Sequence, residues 1–178
     1  MEDAVEKKMF PFKHMLNTGL ILGVVSILFT VVTYLTGDIY KQNNWENWAS
    51  LLVSFVLVYY FTVKYRKEEC ENYLSYGQAF KFGWISMMIS AAISLVFIMI
   101  LQNVIEPDFM SKMMDVQREA MAEKGMSDAQ IEAAIAFGKK FQSPAIVIIV
   151  GLVWSMIISL VISLITAIFA KRNRPVFE

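Results

Sequence analysis

The sequence has little of what active sites and metal centres are built from. Among its 178 residues it contains one histidine, His14, and one cysteine, Cys70, and no cluster of other metal-ligating residues accompanies His14 at a ligand spacing. Three glutamates flank Cys70 and disfavour its thiolate, so we expect a free structural thiol. No nucleophile motif, phosphate loop or nucleotide fingerprint occurs. We therefore predict a protein that is not an enzyme, with no catalytic residue, no cofactor and no metal ligand.

An excess of one charge sign is also missing. Sixteen basic side chains balance sixteen acidic ones, so the formal net charge is zero. A nucleic-acid-binding protein usually carries a basic patch or stripe, and none is present apart from the groups that flank apolar segments. We therefore predict no nucleic-acid partner.

Charge is absent altogether from four long stretches: residues 15–37, 47–63, 82–105 and 141–170, which hold 94 of the 178 residues. A bilayer core about 30 Å thick requires about 20 helical residues, and each stretch is continuously apolar rather than alternating as a barrel strand would be. The sequence thus predicts a single all-α membrane domain over residues 1–178. We place its four transmembrane helices at about 17–35, 48–63, 82–101 and 145–170.

Lysine and arginine predict the orientation of these spans. Ten of them lie in the amino terminus, the second connection and the carboxy terminus, whereas the short first connection holds one and the long third connection five. Short cytoplasmic segments are the basic ones in multi-pass proteins. We therefore expect both termini to face the cytoplasm.

The third connection is the only sizeable polar segment, and its pattern predicts a helical hairpin at about 107–142 outside the membrane. Pro107 suits a first helical position, Gly125 a helix end, and Ser127 to Gln130 a capping box. Each helix has one apolar face, which must bury against the other helix, the membrane surface or another protein; all three remain open. The residues that define these faces are Phe109, Met110, Met113, Met114, Met121, Ile131, Ile135 and Phe141. Copper binding by the methionines is an alternative to their commoner use as apolar filler.

Small residues predict where the spans pack. In lipid, helices associate through close backbone approach and hydroxyl hydrogen bonds. The candidate packing residues recur at intervals of about four: Gly19, Gly23, Ser86, Ser90, Gly151, Ser155, Ser159 and Ser163. A serine-lined polar path is the functional alternative. Its mouth would be Gln102, Asn103 and Glu106, although these three equally suit the wet end of a helix.

Three passages resemble a family of bacterial, Bacteroidetes-type membrane proteins catalogued as domain of unknown function 4199. They are residues 75–83 (SYGQAFKFG), 106–109 (EPDF) and 126–131 (MSDAQI). The resemblance covers nearly the whole chain and implies an inner-membrane location, but it implies no activity. Within the first passage, Tyr76, Gly77, Phe80 and Gly83 form either a helix entry that packs under the first span or a site for a partner or a lipid head group.

Two functional hypotheses follow from these patterns. The first is a non-enzymatic subunit, scaffold or envelope-interaction module that works through the hairpin and the 77–83 entry. Its partners would be the lipid bilayer and either a second copy or an unidentified membrane or envelope protein. The second is a small oligomeric channel or facilitator for ions or small solutes.

Overall fold

The described residues of the computed structural model, 12–40, 44–141 and 143–174, form helices joined by short turns, and no strand occurs among them. The helices are α1 (Phe12–Leu35), α2 (Asn44–Glu69), α3 (Tyr76–Ile100), α4 (Phe109–Glu123), α5 (Asp128–Lys139) and α6 (Pro144–Ala170). A 3-10 turn, Asp38–Tyr40, follows α1, and a π-helical segment, Leu101–Ile105, continues α3. Within the described part of the chain, α1, α2, α3 with its π segment, and α6 are long and apolar enough to cross a membrane. The predicted four-span, all-α architecture is confirmed.

The helices extend beyond the predicted membrane spans. Helix α2 continues six residues past position 63, and α3 begins at Tyr76 rather than 82. The prediction ended each span where charge began, but a helix pairs its own backbone groups and therefore continues through the polar head-group region. Pro107 is not the first helical residue, because it lies in a turn and α4 begins at Phe109 after Asp108. Pro144 does open α6, with Ser143 accepting a hydrogen bond from the Ile146 N–H.

Helix α3 is the centre of the bundle and packs against both α1 and α6. Gly19 of α1 lies against Ile89 of α3, and Gly23 against Ile93, so these helices run in the same direction. Ser159 of α6 lies against Met88, and Gly151 lies against Leu95, so α6 runs in the opposite direction. Helix α2 packs more loosely on α1, α3 and α6.

The bundle has two different ends. At the end that carries residues 12 and 174, called here the terminal end, a buried cluster includes Met15, Tyr65, Phe82 and Ala170. The Tyr65 and Phe82 rings are stacked with centroids 4.8 Å apart. The Arg66 guanidinium donates to the last helical carbonyl of α6, on Ala170, at 2.6 Å. This contact satisfies a carbonyl that the helix itself leaves without a partner.

The opposite end, called here the hairpin end, carries α4 and α5. The two helices pack on each other, with Ile131 and Ile135 of α5 buried, and the turn between them uses Gly125 at a φ of +76°. The predicted capping box is present, since Gln130 Oε1 accepts from the Ser127 N–H at 3.0 Å. Among the described elements α5 packs only on α4, whereas α4 also contacts the 3-10 turn and the π segment. Helix α4 is therefore the attachment of the hairpin to the bundle.

Candidate functional site at the hairpin end

The hairpin is attached through a junction centred on Glu106, the residue that follows the π segment. The Glu106 N–H donates to the Leu101 carbonyl at 2.8 Å, five residues back, which is the wide turn of a π-helix. Single π turns are rare in α-helices, and those that occur are often found at functional sites. Pro107 disfavours a helical conformation for the residue before it, and Glu106 adopts a φ of −136° and a ψ of 80°. The wide turn and the proline together turn the chain out of α3 at this carboxylate.

Both carboxylate oxygens of Glu106 accept hydrogen bonds from other elements. The Tyr34 hydroxyl, in the last turn of α1, donates to Oε2 at 2.8 Å. The Lys112 ammonium, on α4, donates to Oε1 at 3.0 Å. Glu106 is 18% exposed as a side chain and Lys112 is 52% exposed. A single carboxylate thus joins the first span, the third span and the hairpin.

Two aromatic rings seal the same junction. The Phe109 side chain, in the first turn of α4, is only 4% exposed. Its ring lies against that of Tyr40 with centroids 5.3 Å apart. The 3-10 turn that holds Tyr40 follows Gly37, whose φ of +74° favours glycine. The apolar contact and the carboxylate contacts attach the same end of α4, so the hairpin cannot pivot about one bond alone.

The electrostatics keep the junction charged. The Lys112 ammonium, and secondarily the Tyr34 hydroxyl, hold the pKa of Glu106 below its usual value of 4.5, while partial desolvation opposes them. The same carboxylate raises the pKa of Lys112. Burial, with a contribution from Glu106, raises the pKa of the Tyr40 phenol. At neutral pH Glu106 and Lys112 therefore form an ion pair, and the tyrosines beside it, on α1 and on the 3-10 turn, are neutral.

The junction acts as a structural attachment for α4. Its carboxylate already accepts from two donors, so it is poorly placed to act as a general base. No group of three or more histidine, cysteine or acidic side chains converges anywhere in residues 12–40, 44–141 and 143–174. The methionines of α4, Met110, Met113, Met114 and Met121, are half-buried along the helix. We assign no metal or cofactor to them.

Comparison with known protein families gives a match. A family model described as a protein of unknown function, DUF4199, matches residues 17–172. The chain belongs to this family. The family resemblance inferred from the three sequence passages is thereby confirmed, and the match runs from within α1 to just past the end of α6, so it includes the hairpin. No curated protein and no solved structure is significantly similar to the chain.

The family match includes the predicted polar mouth, and the structure gives its three residues different surroundings. Asn103 is exposed and donates its amide to the Met99 carbonyl of its own helix at 2.8 Å. Gln102 is half-buried. Of these three residues Glu106 joins the junction, where Phe109 was also among the predicted site residues, whereas Tyr34, Tyr40 and Lys112 were not. Tyr34, Tyr40 and Lys112 lie 72, 66 and 6 residues from Glu106, and no helical spacing connects them to it.

The 77–83 entry is the first two turns of α3. Ser75 caps this helix, accepting from the Gln78 N–H while its own N–H donates to the Gln78 side chain. Tyr76 and Gly77 are exposed, and Phe80 is half-buried with its ring stacked on Trp84 at 5.9 Å. A Cβ added at Gly83 would lie 3.2 Å from both Ser163 Oγ and Val58 Cγ1. The entry therefore divides into an exposed beginning and an end that packs where α2, α3 and α6 meet.

The predicted packing residues lie mostly between the spans. A Cβ added at Gly19 would lie 2.7 Å from Ile89 Cβ and 2.8 Å from the Ser86 carbonyl oxygen. Ser86, Ser90, Ser159 and Ser163 are buried. The Ser159 hydroxyl lies 3.5 Å from the Met88 sulfur and also donates to the Met156 carbonyl at 2.9 Å. Half-buried Ser155 donates to the Leu152 carbonyl.

Proposed function

We propose that this protein is a non-enzymatic inner-membrane subunit, scaffold or envelope-interaction module that presents its hairpin to another protein. The observation that carries the proposal is the junction at Glu106. Side chains from α1 and from the 3-10 turn, both remote in sequence, join Glu106 in holding α4 in one position. A hairpin that served only as a linker between spans would not need such an attachment.

The surface presented is the polar side of α4. Arg118, Glu119 and Glu123 are exposed on it, and the apolar residues Ile131 and Ile135 face α4 from the other helix. Rigid presentation reduces the ordering entropy that an association must overcome, which is the physical benefit of a fixed hairpin. The distribution of lysine and arginine supports placing this surface outside the cytoplasmic membrane, with both termini inside.

Site-specific photocrosslinking in native membranes tests the proposal. A photoreactive residue at 118, 119 or 122 reports on the hairpin surface, and one at exposed Val153 of α6 is the matched lipid-facing control. We expect a discrete protein adduct from the hairpin positions that is absent from position 153. The adduct should weaken when Glu106→Gln releases the junction. Absence of any adduct from all three hairpin positions would refute the proposal.

The orientation is tested separately. Single cysteines placed at each terminus and at exposed Lys124, at the hairpin tip, are labelled with a membrane-impermeant maleimide on intact cells whose outer membrane has been permeabilised. We expect labelling at position 124 and not at the termini. The opposite pattern would place the hairpin in the cytoplasm.

The alternative, a small oligomeric channel or facilitator, is favoured by one specific observation. The hydroxyls of Ser86 on α3 and Thr166 on α6 are fully buried and make no hydrogen bond in the structure. An unpaired buried hydroxyl is costly, and water or a solute between the helices would satisfy it. Flux of ions or small solutes into liposomes, reduced by Ser86→Ala, would support this function. Absence of flux would remove it.

A further inference from the structure

Two phenylalanine rings of the hairpin remain uncovered. Phe137 is 62% exposed and Phe141 is 49% exposed. The rings contact each other edge to face with centroids 5.0 Å apart. Phe137 lies on a different side of α5 from Ile131 and Ile135, which are buried, and Phe141 lies in the turn that follows the end of α5 at Lys139. The apolar surface of α5 is therefore only half covered by the hairpin.

The position of the pair along the hairpin decides what can cover it. Phe141 lies two residues before Ser143, which caps α6, and the membrane span begins at Ala145. Four residues extend at most about 14 Å, and the Phe141 N–H bonds the Gly138 carbonyl at 2.9 Å, so the chain here is turned rather than extended. The phenylalanine pair thus lies where the hairpin joins a membrane span, a place called here a root of the hairpin. It is within reach of the head-group region whatever the tilt of the hairpin.

The two roots of the hairpin differ. The root before α4 holds Phe109, which Tyr40 covers. The root after α5 holds Phe137 and Phe141, and within the described residues α5 packs on no element except α4. The next apolar surface along the chain is the side of α6 that carries exposed Ile149 and Val150. That surface faces lipid in a membrane, and Ile149 follows Phe141 by eight residues in sequence.

The charges around the pair fit a phospholipid head group. Lys139 and Lys140 are both exposed and lie between the two rings in sequence. Helices that lie in a membrane interface combine aromatic or aliphatic side chains in the acyl boundary with lysines at the phosphates. Anionic lipid adds an attraction for each lysine near the surface.

We propose that Phe137 and Phe141 insert into the outer-leaflet interface and that Lys139 and Lys140 bind the phosphates of anionic phospholipid there. The bilayer, rather than another protein, covers this side of α5. The hairpin is then held at both roots, by protein at Phe109 and by lipid at Phe137 and Phe141. This proposal takes its leaflet from the orientation proposed above, but it does not depend on the scaffold function, because it applies equally to a hairpin that binds no protein.

Depth-dependent quenching in the full-length protein tests the proposal. Cysteines are introduced one at a time at 137 and 141 in a Cys70→Ala background and labelled with an environment-sensitive fluorophore. Ala136 and Glu132, exposed on the remaining side of α5, are the matched controls. The variants are reconstituted into vesicles of phosphatidylcholine, with or without phosphatidylglycerol, that contain lipid brominated near the top of the acyl chain.

We expect quenching about twofold or more stronger at 137 and 141 than at 136 and 132, as for an interfacial helix with one face in the acyl boundary. Phosphatidylglycerol should strengthen the quenching at 141, and Lys139→Gln with Lys140→Gln should abolish that increase. Equal quenching at all four positions would overturn the proposal. A blue-shifted emission that brominated lipid does not quench would also overturn it, because a protein would then cover the rings.

A second probe guards against loss of fold in the cysteine variants. 4-Cyanophenylalanine at 137 or 141 preserves the ring, and its nitrile stretch reports hydration. The nitrile should be dehydrated in vesicles and hydrated in a detergent that solubilises the protein without covering the hairpin. A nitrile that is equally hydrated in vesicles contradicts insertion.

Discussion

The contact between α1 and α3 at Gly19 makes a prediction whose size can be worked out from the structure. In Gly19→Ala the new Cβ would lie 2.7 Å from the Cβ and Cγ2 of Ile89 and 2.8 Å from the Ser86 carbonyl oxygen. Neither obstacle can rotate away, since one is the root of a β-branched side chain and the other is backbone. The helices must therefore move apart.

Overpacking of this kind costs typically about 1–3 kcal/mol, and a clash with backbone belongs at the upper end. Alanine returns up to about 1 kcal/mol through its higher helix propensity than glycine. We expect a net loss of about 2 kcal/mol in the free energy of unfolding. The measurement is unfolding by sodium dodecyl sulfate from a mild detergent, followed by circular dichroism.

Two other glycines serve as matched controls. A Cβ at Gly77, also in a helix, would meet nothing within 4 Å, so Gly77→Ala should be neutral or slightly stabilising. A Cβ at Gly151 would lie 2.8 Å from Leu95 Cδ2, the flexible end of a side chain, so Gly151→Ala should fall between the two. The packing argument fails if Gly19→Ala unfolds at the same detergent fraction as Gly77→Ala.

Three further predictions concern the ends of the bundle. Glu106→Gln and Lys112→Gln should each accelerate amide exchange in α4 but not in α3. Because the pKa of Glu106 in the folded protein lies below 4.5, its contribution to docking α4 should be complete above that pH and be lost as pH falls through the lowered pKa. Glu106→Gln should show no such acid transition. Burial, and secondarily the charge of Glu69, raise the pKa of the Cys70 thiol. Maleimide should therefore label Cys70 slowly in the folded protein at neutral pH and rapidly after unfolding, and fast labelling of the folded chain would contradict the burial. Ser75→Ala removes the cap of α3 and should cost about 1 kcal/mol in the same unfolding assay, while Ser75→Asp should restore most of it; equal stability of the two variants would contradict the cap.

The spans and the hairpin could be predicted because each depends on a local pattern. Continuous apolar runs without charge predict membrane helices, and the alternation of apolar and polar residues in 109–141 predicts two amphipathic helices. The capping box at Ser127 and the proline that opens α6 are likewise local, and both are confirmed. Helices α2 and α3 extend beyond the predicted spans because a change in polarity marks the membrane boundary and not the end of backbone hydrogen bonding.

The candidate site depended on contacts that no local pattern contains. Glu106 was identified as a polar residue at the end of a span, grouped with its sequence neighbours Gln102 and Asn103. In the structure the π turn and the packing of α1 on α3 instead bring it to Tyr34, Tyr40 and Lys112. Likewise the sequence pattern put Phe141 on the apolar face with Ile131 and Ile135 and left open what covers that face, and the structure shows Ile131 and Ile135 buried and Phe141 exposed.

The sequence by itself determined that this chain is a four-span helical membrane protein with a helical hairpin, because burying charge in lipid is so costly that the charge-free stretches identify themselves. Only the tertiary structure decided how the hairpin is held, which glycines make close contacts and which phenylalanines stay uncovered. Those features arise from the meeting of side chains on different helices, and the energy of such a contact depends on where the partner helix lies rather than on the order of residues along either one.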